Sequence, residues 1–204
     1  NMGISSLDVS ANTNLENLWF GNNNLTALDV SNNTLLTHLW VGQNQLTALN
    51  VSNNTLLEDF RCNENQLTSL DVSTNTQLDH LKCHNNPLSI VDVTNNTILT
   101  RLECQVTQIT ALNLLNNTLL IRLHCWNNQL TAMDVSNNTQ LQKLSCYDNQ
   151  LTSLDVSNNT VLSWLDCADN NISSLNVGNN PMLTYLRCAQ NQISSLDVTD
   201  NELL

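Results

Sequence analysis

Apolar and polar residues alternate along this chain in a pattern that repeats every 21 residues from Ile4 to Leu204 without an insertion. One unit reads L-T-x-L-D-V-S-x-N-T-x-L-x-x-L-x-C-x-x-N-Q, and we number its positions 1 to 21. Positions 1, 4, 6, 12, 15 and 17 are apolar in every copy. One such unit cannot bury its own apolar side, whereas stacked units bury it for one another. The pattern therefore predicts a solenoid with six inward-facing columns.

Each unit contains two short stretches in which apolar and polar residues alternate, at positions 4 to 6 and at positions 15 to 17. This alternation is typical of a short half-buried strand. We therefore expect right-handed coils with two parallel β ladders on opposite sides, whose rungs lie about 4.8 Å apart. Residues 1–204 then form a single, mostly β domain of nine full coils and a partial tenth, with weak curvature and little or no helix.

Asparagine recurs where each coil must turn. Position 9 is Asn in all ten copies, and position 20 is Asn in eight of nine. Backbone groups at such turns lose their ladder partners and still need hydrogen bonds. An Asn amide can both donate and accept, so these asparagines are predicted to hold the turns together.

The phrase L-x-x-L-x-Φ-x-x-N, in which Φ is apolar, occurs twice in each unit, for example from Leu46 to Asn54 and from Leu57 to Asn65. It is similar to the leucine-rich repeat. The nested 21-residue form resembles the IRREKO-type repeats of bacteria, and its Asn/Thr-rich, Cys-bearing composition resembles surface proteins of Bacteroidota-type bacteria. This resemblance covers Ile4 to Leu204. It implies a leucine-rich-repeat solenoid that binds protein or glycan on the surface of a bacterium or after secretion.

Seven cysteines share position 17, namely Cys62, Cys83, Cys104, Cys125, Cys146, Cys167 and Cys188. The first two coils have Phe20 and Val41 there, which indicates an apolar column in which Cys is a small buried hydrophobe. Side chains in register point the same way, and no C-x-x-C spacing exists, so disulfides and zinc are disfavoured. A sporadic disulfide or a reactive thiol stays the alternative.

All 16 Trp, Tyr, His, Lys and Arg residues lie at positions 14, 16 and 18, whereas position 5 is only Asp or Asn. Aromatic residues and Arg are enriched at binding hot spots. The alternative is that the aromatic residues only stabilise the sheet as cross-strand pairs. The sequence predicts a ligand-binding face formed by Trp19, His38, Trp40, Arg61, His80, Lys82, His84, Arg101, Arg122, His124, Trp126, Lys143, Tyr147, Trp164, Tyr185 and Arg187.

The charge distribution supports this division. Positions 14, 16 and 18 hold six Lys or Arg against three acidic residues, a net charge of +3. Because the whole chain has a net charge of −12, the other positions together carry −15. An acidic body disfavours nucleic acid as a partner. No apolar run is long enough for membrane insertion. Aromatic residues at both ends of the face suit sugars or apolar side chains, and the basic middle suits carboxylates or sulfates.

The acidic column at position 5 has two interpretations. Its carboxylates accept hydrogen bonds from Ser, Thr or backbone N–H groups, or adjacent rungs bind calcium, for which the candidates are Asp71, Asp92, Asp134 and Asp155. A regular Asp/Ser/Thr face also permits an ice-binding function, which the charges oppose. His80 and His84 are four residues apart along a strand, about 13 Å, so they are not expected to share an ion. No cofactor and no catalytic constellation are predicted.

Two coils depart from the pattern. Val106 and Thr107 replace the usual polar–Asn pair, Leu115 replaces Ser, and Ile121 lies beside the variable strand. They form either a contact patch or neutral drift. Neither end has the polar cap that solenoids need, which predicts flanking domains or end-to-end contacts. We therefore expect a non-catalytic binding or adhesion module, and the main alternative is a structural spacer or stalk.

Overall fold

Each 21-residue unit forms one coil of a solenoid. The computed structural model describes residues 2–204, and this range contains nine three-residue strands and no helix. Each strand pairs in parallel with the strand 21 residues later, so that a single sheet runs in chain order. The strands are β1 Asn17–Trp19, β2 His38–Trp40, β3 Asp59–Arg61, β4 His80–Lys82, β5 Arg101–Glu103, β6 Arg122–His124, β7 Lys143–Ser145, β8 Trp164–Asp166 and β9 Tyr185–Arg187. This sheet confirms the ladder predicted around position 15.

The prediction of a second ladder, at positions 4 to 6, is wrong. Within residues 2–204 the nine-stranded sheet is the only one, and positions 4 to 6 have no regular secondary structure. The cause is side-chain competition for the backbone. At position 5 the side-chain oxygen accepts the N–H two residues later, as from Ser31 to Asp29 at 2.9 Å. The carbonyl at position 6 accepts an Asn amide from the next coil, as Val30 does from Asn54 at 3.0 Å.

The asparagines at position 9 form a continuous ladder inside the turns. Asn96 is fully buried, and its Nδ2 donates to the carbonyl oxygens of Val72 at 3.1 Å and Asn75 at 2.8 Å. Asparagines from Asn33 to Asn201 repeat this pair of bonds. Each amide therefore joins two coils, which confirms the structural role predicted for this column.

The asparagines at position 20 make a second ladder beside the sheet. Asn65 donates to the carbonyl oxygens of Val41 and Cys62, both at 3.0 Å, and its Oδ1 accepts the N–H of Leu46 at 2.9 Å. Thr107 interrupts this ladder, but its hydroxyl still donates to the carbonyl oxygen of Cys104 at 3.0 Å.

The six apolar columns form one continuous core. Leu39, Phe60 and their counterparts in the middle coils have no exposed surface, whereas the end coils and position 4 at Leu70, Leu112 and Met133 are only partly buried. The cysteines are free thiols, buried from Cys62 to Cys167 and half-buried at Cys188. Burial is the main reason that the pKa of Cys83 rises to about 12. The column therefore packs as the small hydrophobe predicted.

Position 19 adopts the left-handed backbone conformation in every coil that has one. The residues there have φ between 52° and 58°, and most are Asn, Asp, Gln or Glu. Val106 is the exception, with φ of 53°. A β-branched residue is strained in this region because its side chain crowds the backbone. Among the nine copies of position 19, Val106 is therefore the one with a strained backbone.

The asparagine ladder predicts a large difference between two neighbouring substitutions. Asn96→Ala leaves two buried carbonyl oxygens without their donor and should lower the free energy of unfolding by about 2–3 kcal/mol. Asn95→Ala removes only an exposed bond to the Ser73 carbonyl and should cost less than about 0.5 kcal/mol. Urea unfolding followed by circular dichroism measures both. Equal losses would show that the buried amides do not hold the coils together.

The strained backbone predicts a stabilising substitution. Val106→Asn places a residue that tolerates positive φ at this site and should raise the free energy of unfolding by about 1 kcal/mol. The reciprocal change at the equivalent position of the next coil, Asn127→Val, should lower it by a similar amount. Thermal unfolding of the two variants is the measurement. A loss of stability in Val106→Asn would contradict the assignment of strain.

Candidate ligand-binding face

The strand sheet presents the predicted binding residues on one side of the molecule. Positions 14 and 16 flank position 15, which is buried in β1 to β8 and partly buried in β9, so their side chains point away from the core. Exposure differs widely along this face: Trp19 is 65% exposed and His80 is 6% exposed. We call the outward side of positions 14, 16 and 18 the variable face. All sixteen predicted residues lie on it, and their role in binding stays a prediction.

Six aromatic side chains on the variable face form three stacked pairs. The ring centroids are 4.9 Å apart in Trp19–Trp40, 5.0 Å in Trp126–Tyr147 and 3.6 Å in Trp164–Tyr185. The interplanar angles are 16° or less. Each pair joins the same position in consecutive coils, as the sequence register predicts.

The ring planes lie across the solenoid axis, so their flat faces point along the axis towards neighbouring coils. Each ring covers one face of its partner, because the stacking follows the direction in which the strands pair. Trp40 is covered on both sides, since the Arg61 guanidinium lies 3.7 Å from its ring centroid. The aromatic residues therefore present mainly ring edges to a ligand.

Half of the cations on the variable face are paired with acids of the same face. Arg61 makes two hydrogen bonds to Asp59, at 2.9 and 2.7 Å. Lys82 Nζ is 3.0 Å from Glu103, and Arg187 lies 3.3 Å from Asp166. These pairs lower the positive charge that the face offers to a ligand.

Glu103 forms the centre of a charged cluster that sequence reasoning missed. Its oxygens lie 3.5 Å from His80 Nε2 and 3.9 Å from His84 Nε2, in addition to the Lys82 contact. The two histidines are four residues apart along one coil, yet the next coil places one carboxylate between them. The signal was present in the sequence, because Glu103 follows Lys82 by 21 residues.

The cluster shifts the pKa of its members. Burial opposes the charged forms, but it is outweighed at Glu103 by His80 and Lys82, which lower the pKa to about 2. At His80 burial is outweighed by Asp59 and Glu103, so its pKa is raised above 6.5. Burial dominates at His84 and His124, where the pKa is lowered. The buried His80 ring thus lies between two carboxylates, Asp59 at 3.7 Å and Glu103 at 3.5 Å, which favour its charged form.

A shallow cavity of about 310 Å³ opens beside this cluster. Acidic, basic and apolar side chains line it together, so it suits a polar side chain of a ligand better than an apolar one. Its lining residues are His38, Glu58, Asp59, Arg61, Gln77, Asp79, His80, Ile98 and Arg101.

The acidic column at position 5 lies outside the variable face and serves the turns. Asp71 and Asp92 each accept a backbone N–H two residues later, at 2.9 and 3.0 Å, and these hydrogen bonds lower their pKa. Asp134 and Asp155 do the same. No group of three or more His, Cys, Asp or Glu within residues 2–204 could hold a metal ion. One oxygen of each of these carboxylates is used locally, and the calcium interpretation of this column stays a prediction.

The irregular coils expose apolar surface. Leu115 is 59% exposed, and Leu119 and Ile98 lie nearby in the repeat with 47% and 39% exposure. Ile121 is half-buried beside β6. The structure contains apolar surface here, and both predicted interpretations, a contact patch and drift, remain.

The comparisons with known proteins identify the fold. The solved functional domain of InlJ from Listeria monocytogenes, which includes a cysteine ladder, has 40% sequence identity and a TM-score of 0.92 to this chain. The chain folds as a leucine-rich-repeat solenoid. The match to InlJ covers 99% of this chain and 50% of InlJ, so the chain spans about half the length of that relative.

Other leucine-rich-repeat structures support the same fold at lower identity. LIC12759 from Leptospira interrogans is 21% identical, with a TM-score of 0.81, over 96% of this chain and 60% of its own. The plant peptide hormone receptor RGFR1, solved in complex with RGF2, is 22% identical, with a TM-score of 0.79, over 92% and 36%. The LVIVD repeat family matches residues 125–149. A comparison with curated proteins finds no match.

These findings confirm part of the predicted resemblance. The fold and its bacterial relatives are shown, and the cysteines at position 17 form a ladder, as they do in InlJ. The IRREKO type and the Bacteroidota origin stay predictions. In the part of the leucine-rich-repeat chain that the structure describes, no helix is long and apolar enough to cross a membrane.

The raised pKa of His80 predicts a pH-dependent contribution to stability. This contribution is fully present below about pH 6.5, where His is charged in both states, and is lost as pH rises through the higher folded value. His80→Gln should therefore lower the free energy of unfolding most near pH 5, and the difference should shrink towards pH 9. Urea unfolding at several pH values measures it.

His124→Gln is the opposed control, because burial lowers the pKa of His124. Its neutral form is favoured on folding, so wild-type His124 costs stability as pH falls below about 6.5. The His124→Gln variant should then gain stability relative to wild type at low pH. The same pH trend in both variants would contradict the assigned directions.

Proposed function

We propose that this chain is a non-catalytic binding module that recognises a protein ligand through its variable face. One observation carries the proposal: all 16 Trp, Tyr, His, Lys and Arg residues lie in three alternate columns, two in the sheet and one just after it, whereas position 5 contains only Asp or Asn. Exposed strand positions that only covered the core would show no such segregation. Residues of these types are common at binding hot spots.

The ring orientation favours a protein over a polysaccharide. Sugars bind aromatic residues across flat ring faces, and here each ring has one of its faces against a stacked partner. Ring edges and half-buried cations instead suit side chains and backbone carbonyls of a polypeptide. Polysaccharide binding is therefore the alternative outcome of the test below.

The relatives support a binding role in coarse terms. The RGFR1 receptor has been solved in complex with RGF2, and its match in fold covers 92% of this chain and 36% of the receptor. The InlJ match covers 99% of this chain at 40% identity. By this similarity we infer a secreted or cell-surface location on a bacterium. Neither comparison identifies the ligand of this chain.

A structural spacer is the second candidate, and the pairing within the variable face favours it. Three aromatic pairs and three salt-bridged cations already have partners in the same molecule. Cross-strand pairs of this kind stabilise a sheet without any ligand. The spacer and the binding module differ in whether substitutions on the face change binding.

A selection from a displayed peptide library, followed by titration of the selected peptide, tests the proposal. All four Trp residues lie on the variable face, so binding should change their fluorescence. The double substitution Trp126→Ala with Trp164→Ala should weaken binding by at least about tenfold, because both side chains are expected anchors. Thr131→Ala with Thr152→Ala, two exposed changes outside the face, should leave it unchanged.

Each outcome decides between the candidates. A peptide that loses its binding in the double tryptophan variant, but not in the double threonine variant, supports the binding module. A saturable fluorescence response to neutral or anionic polysaccharides, without one to peptides, would replace the protein ligand by a glycan. Failure of both panels would leave the spacer as the better account.

A further inference from the structure

The six Lys and Arg residues fall into two sets. Arg61, Lys82 and Arg187 pair with acids. Against the other residues of the 2–204 range, the side chains of Arg101, Arg122 and Lys143 form no hydrogen bond or ion pair. These three occupy position 14 of consecutive coils, in direct register on β5, β6 and β7. We call them the cationic row.

Opposing charge lies at the Arg101 end of the cationic row, where Glu58, Asp59 and Asp79 line a cavity together with Arg101. Position 13, next along the chain, is Thr100, Ile121 and Gln142 in these three coils, whereas the two preceding coils have Glu58 and Asp79 there. Position 16 is Glu103, His124 and Ser145. The Glu103 oxygens already face His80, Lys82 and His84. The row is thus a local positive site on an acidic protein.

Stacked like charges have a cost that a ligand can remove. Cations directly opposite each other on paired strands repel, and these three side chains make no hydrogen bond or ion pair within residues 2–204 that would offset the repulsion. Their field reaches neighbouring groups. Burial is the largest cause of the lowered pKa of His124, and Glu103 opposes it. The cations Arg122, Lys82 and Lys143 lower this pKa further. An anion bound along the row would be favoured on electrostatic grounds.

The length of the row suits a short anionic segment. Three consecutive rungs span about 10 Å, and an extended peptide places alternate side chains about 7 Å apart. Arg binds a carboxylate through two parallel hydrogen bonds, and long Arg and Lys side chains can adjust to this spacing. The row is bounded by buried His80 at one end and by Trp164 at the other, with Lys143 Nζ 5.7 Å from the Trp164 ring.

We propose that the cationic row of Arg101, Arg122 and Lys143 binds a short acidic segment of the protein ligand, with carboxylates on alternate residues. This inference rests on the proposed function and names the chemistry of the partner. A long polyanion such as a sulfated polysaccharide fits less well, because it would extend past three rungs onto a body with a net charge of −15. Exposed Ile98 and Leu119, in the same coils as Arg101 and Arg122, suit apolar residues that flank the acids.

The test compares defined probes on matched variants. We would measure fluorescence anisotropy of a labelled peptide of alternating Glu and Val, a Gln and Val peptide of equal length, and labelled heparin. The triple variant Arg101→Gln, Arg122→Gln, Lys143→Gln should bind the Glu peptide at least about tenfold more weakly than wild type. Added salt should weaken the wild-type interaction as well.

The control carries the same net charge elsewhere. Thr26→Glu, Thr47→Glu and Thr68→Glu are exposed changes outside the variable face, and they make the chain three units more negative, as the Gln triple does. This variant should keep most of the affinity for the Glu peptide. Equal losses in the two triples would show a general effect of net charge and overturn the local site.

The remaining outcomes separate this inference from the proposed function. Absence of Glu peptide binding to wild type, or equal binding of the Gln peptide, would overturn the acidic segment. Binding of heparin alone would replace it by a sulfated glycan. A further outcome is that the double tryptophan variant abolishes binding of a library-selected peptide while the triple Gln variant still binds it. In that case the binding module stands and the cationic row does not contribute.

Discussion

Side-chain amides hold consecutive coils of this solenoid together on the side away from the sheet. Each buried asparagine at position 9 gives its two amide hydrogens to carbonyl oxygens of the preceding coil. These carbonyls lie in a turn, where no strand can reach them, and leaving them unpaired would cost more than one ordinary hydrogen bond contributes. Because every coil needs the same amide in the same place, the chain tolerates no insertion between one asparagine and the next.

This constraint determines the chemistry of the opposite side. A fixed 21-residue coil places equivalent side chains in register one rung apart, so each residue on the variable face has a neighbour 21 positions away. Identical side-chain classes then stack, as Trp126 does with Tyr147, and opposite charges pair across coils, as Lys82 does with Glu103. Surface properties therefore follow from residue pairs that are far apart in the sequence.

The sequence is sufficient to predict the parts of the structure that depend on this period alone. Periodicity identified the six core columns, the strand at positions 14 to 16, the asparagine ladders and the stacked aromatic pairs. It failed at positions 4 to 6, because alternation indicates a strand only when backbone groups are free to pair. At that segment the Asp29 oxygen and the Asn54 amide take the backbone groups instead.

Contacts that cross both coil and column were harder to predict. Single-strand reasoning kept His80 and His84 apart, whereas the Glu103 carboxylate of the following coil lies between them. The repeat pattern does not predict side-chain conformations, and these conformations determine which cations form ion pairs. Arg61 turns back to Asp59 within its own strand, whereas Glu103, two residues after Arg101 in β5, pairs with Lys82 of the preceding coil instead.

The departures from the repeat are concentrated where the unpaired cations lie. Val106 and Thr107 belong to the coil of Arg101, and Leu115 and Ile121 belong to the coil of Arg122. Stacked coils select strongly for the consensus residue, since each copy must fit two neighbours. Strained backbone and exposed apolar residues persist in proteins mainly where function requires them. The strained Val106, the exposed Leu115 and the two unpaired arginines thus favour these coils as the part of the solenoid that was adapted to a partner rather than to its own stability.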